Sequence, residues 1–115
     1  MRRGEIRWVN FEPAQGAEAN KRRPAVLVGN DGANLTADRL GRGVVTVVPL
    51  TTDVSRVFPF QVRLPADRCG LRNDSKAQAE QVRSVDVRRV GDHLGSVPTT
   101  LMSELEDALR LHLGL

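Results

Sequence analysis

Seven consecutive residues, Val44-Val45-Thr46-Val47-Val48-Pro49-Leu50, constrain the fold more than any other stretch. β-Branched side chains pack well on a pleated surface and lose rotamer freedom in a helix, so the run reads as a strand. It is apolar on both faces, which predicts a central strand covered on two sides.

Shorter strands are expected around it. Ile6 to Phe11 places Ile6 and Trp8 on one face and Val9 and Phe11 on the other, and Pro13 ends the run. The polar stretch Ala14 to Arg23 lacks periodicity and reads as an exposed, mobile loop. Pro24-Ala25-Val26-Leu27-Val28 follows as a buried strand with Pro24 at its first position, closed by the turn residues Gly29-Asn30-Asp31-Gly32. Phe60 to Leu64 alternates, with one face buried and one wet, and Ser75 to Val85 favours a strand over a helix. Thr99 to Leu113 carries Leu101, Leu105, Ala108, Leu109 and His112 at helical spacing, behind Pro98 at the helix entrance. These elements predict a mainly β, α+β fold: a small curled antiparallel SH3-like β-barrel with a C-terminal helix. At 115 residues, one domain spanning 1–115 is expected.

Hydrophobic residues make up 40% and charged residues 27%, the balance of a folded chain. No stretch reads as a signal peptide or a membrane span. The single Cys69 has no partner for a disulfide or a metal-ligand pair, so a cytoplasmic location is expected and catalysis by Cys69 is not. The net charge of +3 is uneven: residues 1–91 hold 16 Lys/Arg against 10 Asp/Glu, while 92–115 hold one against four. Such a basic body attracts phosphates.

The sequence contains no GxxxxGKS/T, GxGxxG, HExxH or GxSxG, which argues against nucleotide hydrolysis and zinc chemistry. His112 falls on the apolar helix stripe and His93 in an expected turn, so a two-histidine ribonuclease is poorly supported. RNA cleavage by its own 2′-hydroxyl requires charge stabilisation at phosphorus and proton transfers, and needs no metal. A guanidinium and a hydroxyl are suitable groups. Arg23 stands where the polar loop enters one buried strand, and Thr51 where another ends. On spacing alone, a solvated surface charge and a turn residue describe this pair better than a catalytic one.

The chain resembles the MazF/PemK toxin family over nearly its whole length. Arg3-Gly4-Glu5-Ile6 before a Trp-containing strand, Pro13, Gly16, Glu18, Arg23-Pro24-Ala25-Val26-Leu27-Val28 and Asn30-Asp31 look like the family's opening signature. Val47-Val48-Pro49-Leu50-Thr51-Thr52 looks like its second motif, and Asp74-Ser75 with Glu80-Gln81-Val82-Arg83-Ser84 its third; Gly95 before the last helix resembles its ending. The resemblance implies a CcdB/MazF-type fold, a symmetric homodimer, and metal-independent cleavage of single-stranded RNA to a cyclic phosphate and a free 5′-hydroxyl, with no cofactor. It also implies a MazE-like antitoxin whose disordered tail blocks the cleft. Arg23 and Thr51 match the family's catalytic arginine and threonine. Glu18, Lys21, Arg22, Ser75, Glu80 and Gln81 are the implied RNA-binding residues. For Glu80 a salt bridge to Arg83 or Lys76 is the structural alternative, and for Ser75 a backbone hydrogen bond. Lys21-Arg22-Arg23 is more basic than the family pattern, and the position of Arg23 directly before Pro24 selects it as the cleft arginine.

Two other functions compete. A CcdB-like inhibitor of DNA gyrase uses the same fold without catalysis. A general nucleic-acid binding module is the weaker reading, because aromatic residues are only 3% and stacking platforms need them.

Overall fold

The computed structural model describes residues 1–12, 16–17 and 21–115. Its strands are β1 (Glu5–Asn10), β2 (Arg22–Leu27), β3 (Val44–Thr51), β4 (Gln61–Leu64), β5 (Ser75–Gln78), β6 (Arg83–Asp86) and β7 (Val90–Ser96). Its helices are α1 (Asp31–Leu40), α2 (Ala66–Cys69) and α3 (Thr99–Leu113).

The strand with the strongest β pattern is the organising one. Along one edge β3 pairs with β2; along the other it pairs first with β6 and then, at Leu50 and Thr51, with β5. The single antiparallel sheet runs β4-β5-β3-β2-β1-β7, with β6 attached to β3. Its path ends at β4 and β7 without a pairing between them among the described residues, so the sheet is not closed.

Alternation along β3 divides its side chains between two cores. One face carries Val48 and Leu50, which pack with Ile6, Val26, Val62, Leu64, Leu101 and Leu105, so α3 covers this side. The other carries Val45 and Val47, packed with Val9, Phe11, Ala25, Leu27, Ala37 and Val85. Each fully buried aliphatic side chain contributes about 1.5–3 kcal/mol, so the central strand is held from both sides.

Several boundaries differ from the sequence reading. β2 starts at Arg22, so Pro24 is its third residue, opposite Trp8, and Arg22 and Arg23, read as the end of the polar loop, belong to the strand. Residues 29–32 are not a simple turn. Asn30 accepts from the Ala33 amide at 2.8 Å and caps α1, which the sequence hides because only Asn34 and Ala37 of that helix are buried. Ser75 to Val85 is broken by a 3₁₀ turn at Ala79–Gln81, which moves the chain from β5 to β6 along the same edge of β3. His93 lies in β7 rather than a turn. α3 spans the expected residues, but its buried stripe is Leu101, Met102, Leu105 and Ala108, and His112 is exposed in the last turn. Cys69 is buried in the core, where desolvation pushes its thiol up, away from nucleophilic use.

Candidate functional site

Strand register determines which side chains can meet. β2 pairs Ala25 with Pro49, Val26 with Val48 and Leu27 with Val47. Carried two residues further, the same register sets Arg23 opposite Thr51, and residues opposite one another on adjacent strands project from one face. Both are half-buried. Arg23 is anchored from the other side by its pairing with Val9, and Thr51 by its pairing with Lys76.

That face continues across β5 and β4. Lys76 and Gln78 share it by alternation, as do their partners Arg63 and Gln61. Lys76 is only 7% exposed. Its Nζ donates to the Arg56 carbonyl at 2.6 Å and lies 5.9 Å from the Phe58 ring centre. Arg56 stacks over the same ring at 4.8 Å, Phe60 lies parallel to it, and the Phe58 amide donates to Gln61 Oε1. The segment between β3 and β4 is thus fastened over the polar face. At its start Thr51 Oγ1 accepts from the Asp53 amide at 3.3 Å; hydrogen bonds from Ser55 hold the Asp53 carboxyl below the usual range.

Glu80, in the 3₁₀ turn, accepts from Gln61 Nε2 at 2.8 Å through one oxygen. Its second oxygen and Gln78 Oε1 are buried without hydrogen-bond partners among the described residues. Unpaired buried acceptors are uncommon and costly, and here both belong to side chains rooted on or beside the Arg23–Thr51 face. Gln81 Nε2 donates to the Ala17 carbonyl at 3.0 Å, linking the turn to the loop before β2. Arg83, opposite Val47, stacks over Phe11 at 5.6 Å.

The expected site residues divide accordingly. Arg23 and Thr51 fall on one face by the continued β2–β3 register, Glu80 is tied to Gln61 of that face, and Gln81 is tied to the Ala17 carbonyl. Glu80 forms no ion pair with Lys76, which is committed to Arg56. Ser75 does not join them: it is buried, donates to the Asn73 carbonyl at 3.2 Å, and sits one position out of phase with Lys76, beside a groove of about 660 Å³ lined by Trp8, Pro24, Thr52 and Leu94. Lys21 is exposed with φ 65°, and its backbone serves Glu12 and Phe11. Arg22 alternates away from Arg23, so the register selects Arg23 as the arginine facing Thr51. Glu18 lies outside the described residues. Sequence reading missed Lys76, Gln61 and Gln78 as members of this face. The alternation of residues 60–64 marked Gln61 as polar, but only the pairing of β4 with β5 and the covering segment bury Gln61, while Arg63 on the same face stays exposed. Among the described residues no three His, Cys, Asp or Glu side chains converge into a group able to hold a metal ion.

Comparison with known proteins agrees with this architecture. Residues 2–113 match the model of the "PemK-like, MazF-like toxin of type II toxin-antitoxin system". The chain is 55% identical over 115 residues to endoribonuclease MazF9 of Mycobacterium tuberculosis, covering 100% of this chain and 98% of that protein. The crystal structure of MazF from Deinococcus radiodurans is similar at TM-score 0.80 and 27% identity, over 100% of this chain and 97% of that one. The MazF chain of a MazE-MazF crystal form from the same organism is similar at TM-score 0.73 and 27% identity, over 100% and 97%. With a family match across almost every residue and a relative more than half identical over its full length, the chain belongs to the PemK-like, MazF-like toxins of type II toxin-antitoxin systems.

Proposed function

We propose that this toxin is an endoribonuclease that cuts single-stranded RNA with Arg23 and Thr51 and without a metal ion. The 2′-oxygen forms its bond to phosphorus as the bond to the 5′-oxygen breaks; the 2′-hydroxyl loses a proton and the leaving oxygen gains one, so no water is consumed in forming the cyclic phosphate. Arg23 supplies a bidentate guanidinium to the charge that develops on the phosphorane oxygens, and Thr51 adds a hydroxyl donor. The observation that carries this reading is the register bringing the two side chains to one face. Glu80 and Gln81 offer hydrogen bonds to base edges beside it.

The relatives' names favour RNA cleavage over gyrase inhibition. By the same likeness the protein works as a homodimer and is neutralised by a MazE-like antitoxin, whose acidic, apolar tail folds across the basic cleft. We assign it a cytoplasmic location and a single domain over 1–115. Among the described residues no helix is long and apolar enough to cross a membrane.

The test is incubation of the purified, folded protein with mixed single-stranded RNAs in excess chelator. Cleavage is expected, with cyclic phosphate ends, and is expected to fall by about 10²–10³ in Arg23→Ala. An intact protein that cuts none of these RNAs, or cuts only after a metal is added, overturns the proposal.

A further inference from the structure

The alternation that turns Arg23 toward Thr51 turns Arg22 the other way. Arg22 pairs with Asn10 across β1 and β2, and its Nη2 lies over Gly91, where an added Cβ would be 3.9 Å away. It opens onto a groove of about 680 Å³ shared with Asn10, Glu12, Asp86, Arg88 and Arg89.

The acids of this groove are already engaged. Asp86 holds Arg88 by two side-chain bonds of 3.0 and 2.8 Å and accepts from the Arg88 amide as well. Glu12 accepts from the Lys21 amide at 2.6 Å. The donors, by contrast, are spare. Among the described residues the Arg22 guanidinium has neither a hydrogen bond nor an ion pair. Asn10 uses its side-chain oxygen to accept from the Glu12 amide, which leaves its amide nitrogen available. Arg89 donates through Nη1 to the carbonyls of Asn10 and Glu12 and forms no ion pair among the described residues, although Asp86, itself bonded to Arg88, lies within its electrostatic reach. A groove in which the guanidiniums of Arg22, Arg88 and Arg89 outnumber the carboxylates of Glu12 and Asp86, and in which Arg22 is uncommitted among the described residues, fits an anion with several oxygens, as a phosphodiester has.

Its place in the fold links it to the first site. Asn10 ends β1, Arg22 begins β2, Val90 begins β7 and Thr51 ends β3, so all four lie at one end of the antiparallel sheet. Two inter-strand steps, about 10 Å, separate β3 from β1. Resting on the reading that RNA occupies the Arg23–Thr51 face, we infer that Arg22, Asn10 and Arg89 form a subsite for a phosphate of the same RNA chain flanking the scissile one. The groove sets affinity for longer RNA and takes no part in bond breaking.

Two readouts keep this inference separate from the reading it rests on. Binding of a long 2′-O-methyl RNA, which cannot be cut, reports the subsite; cleavage of ordinary RNA reports the catalytic reading. Arg22→Ala is expected to weaken 2′-O-methyl RNA binding about fivefold and to lower the slope of log Kd against log salt by about 0.7. In cleavage, it raises KM for long RNA severalfold more than KM for an RNA trimmed to the nucleotides around the cut. Arg42→Ala, an equal charge change beyond the other end of β3, is the control and should move none of these. A neutral methylphosphonate at one flanking position should weaken binding to the unmodified protein and not to Arg22→Ala. Equal effects from the two arginine variants, or no position coupled to Arg22, overturn the inference. So does an Arg22→Glu variant that keeps full RNA affinity but no longer binds an acidic peptide, because the groove then serves a protein partner. If the RNA binds as expected and is never cut, the catalytic reading fails instead.

Discussion

Thr51 and Lys76 face one another across the β3–β5 pair, so a buried ammonium and a candidate catalytic hydroxyl share one face of the sheet. The ammonium is retained in that position by the Arg56 carbonyl and the Phe58 ring. It therefore both adds positive potential beside Thr51 and fastens the segment leading to β4. Lys76→Met keeps the length and packing of the side chain while removing the charge. It is expected to leave the fold intact and lower kcat/KM for RNA about tenfold, the worth of one charge-assisted contact. Circular dichroism and cleavage kinetics check both halves; an unchanged kcat/KM would show that the ammonium acts on neither the segment nor the substrate.

Arg23 and Thr51 should respond differently to conservative change. Arg23→Lys keeps the charge and loses the planar fork, so it is expected to recover only a small part of the activity lost in Arg23→Ala, a loss of about 10²–10³ in kcat. Thr51→Ser keeps the hydroxyl and its hydrogen bond from the Asp53 amide, and should stay within about tenfold of the unmodified protein, whereas Thr51→Val should not. Single-turnover cleavage separates these effects from binding; equal activity in the serine and valine forms would remove Thr51 from the chemistry.

The contrast between these residues and Lys76 shows what the sequence makes legible. Strand and helix periods are local, so β3 and α3 can be read from residue types alone, whereas Arg23 and Thr51 are singled out by the family motifs they match and not by their spacing. The grouping of Lys76, Gln78 and Gln61 depends on β5 pairing with the end of β3 on one side and with β4 on the other, and pairing between distant segments leaves no mark in local spacing. α1 was hidden for another reason. Its exposed face carries Gly32, Thr36 and Asp38, poor helix formers, and its start depends on the Asn30 cap and on Asp31 receiving the Arg3 amide at 2.6 Å. Ser75 enters the site list only through the family motif, and the backbone hydrogen bond named as its alternative is the one present, to the Asn73 carbonyl two residues away.

Gly95 is fixed by close approach rather than by chain flexibility. A Cβ placed there would stand 2.0 Å from the Cys69 carbonyl oxygen, backbone that cannot swing aside. Gly95→Ala must push β7 from the end of α2 and disturb its pairing with Ile6. A loss of about 3 kcal/mol is expected, the upper range for overpacking. Gly114→Ala, at φ 72° with open space around it, should cost about 1 kcal/mol. Denaturant unfolding of the two variants checks the order; a Gly95→Ala protein as stable as Gly114→Ala would contradict the tight contact between β7 and α2.

Acid should act on stability through Asp86. Side-chain hydrogen bonds from Arg88, with the Arg88 amide, lower its pKa to about 2, below the roughly 3.9 of an unfolded aspartate. A depressed folded-state value means the unfolded chain binds the proton first. The contribution is then complete above about pH 4 and is lost as the pH falls toward about 2. Asp86→Asn keeps an acceptor for the Arg88 amide and removes the titration. Its stability is expected to fall less steeply than that of the unmodified protein between pH 4.5 and about 2, while the gap between the two stays constant from pH 5 to 8. Urea unfolding across both ranges reads the difference directly. Parallel curves below pH 4 would mean that the Asp86–Arg88 pair, exposed as it is, adds nothing in solution.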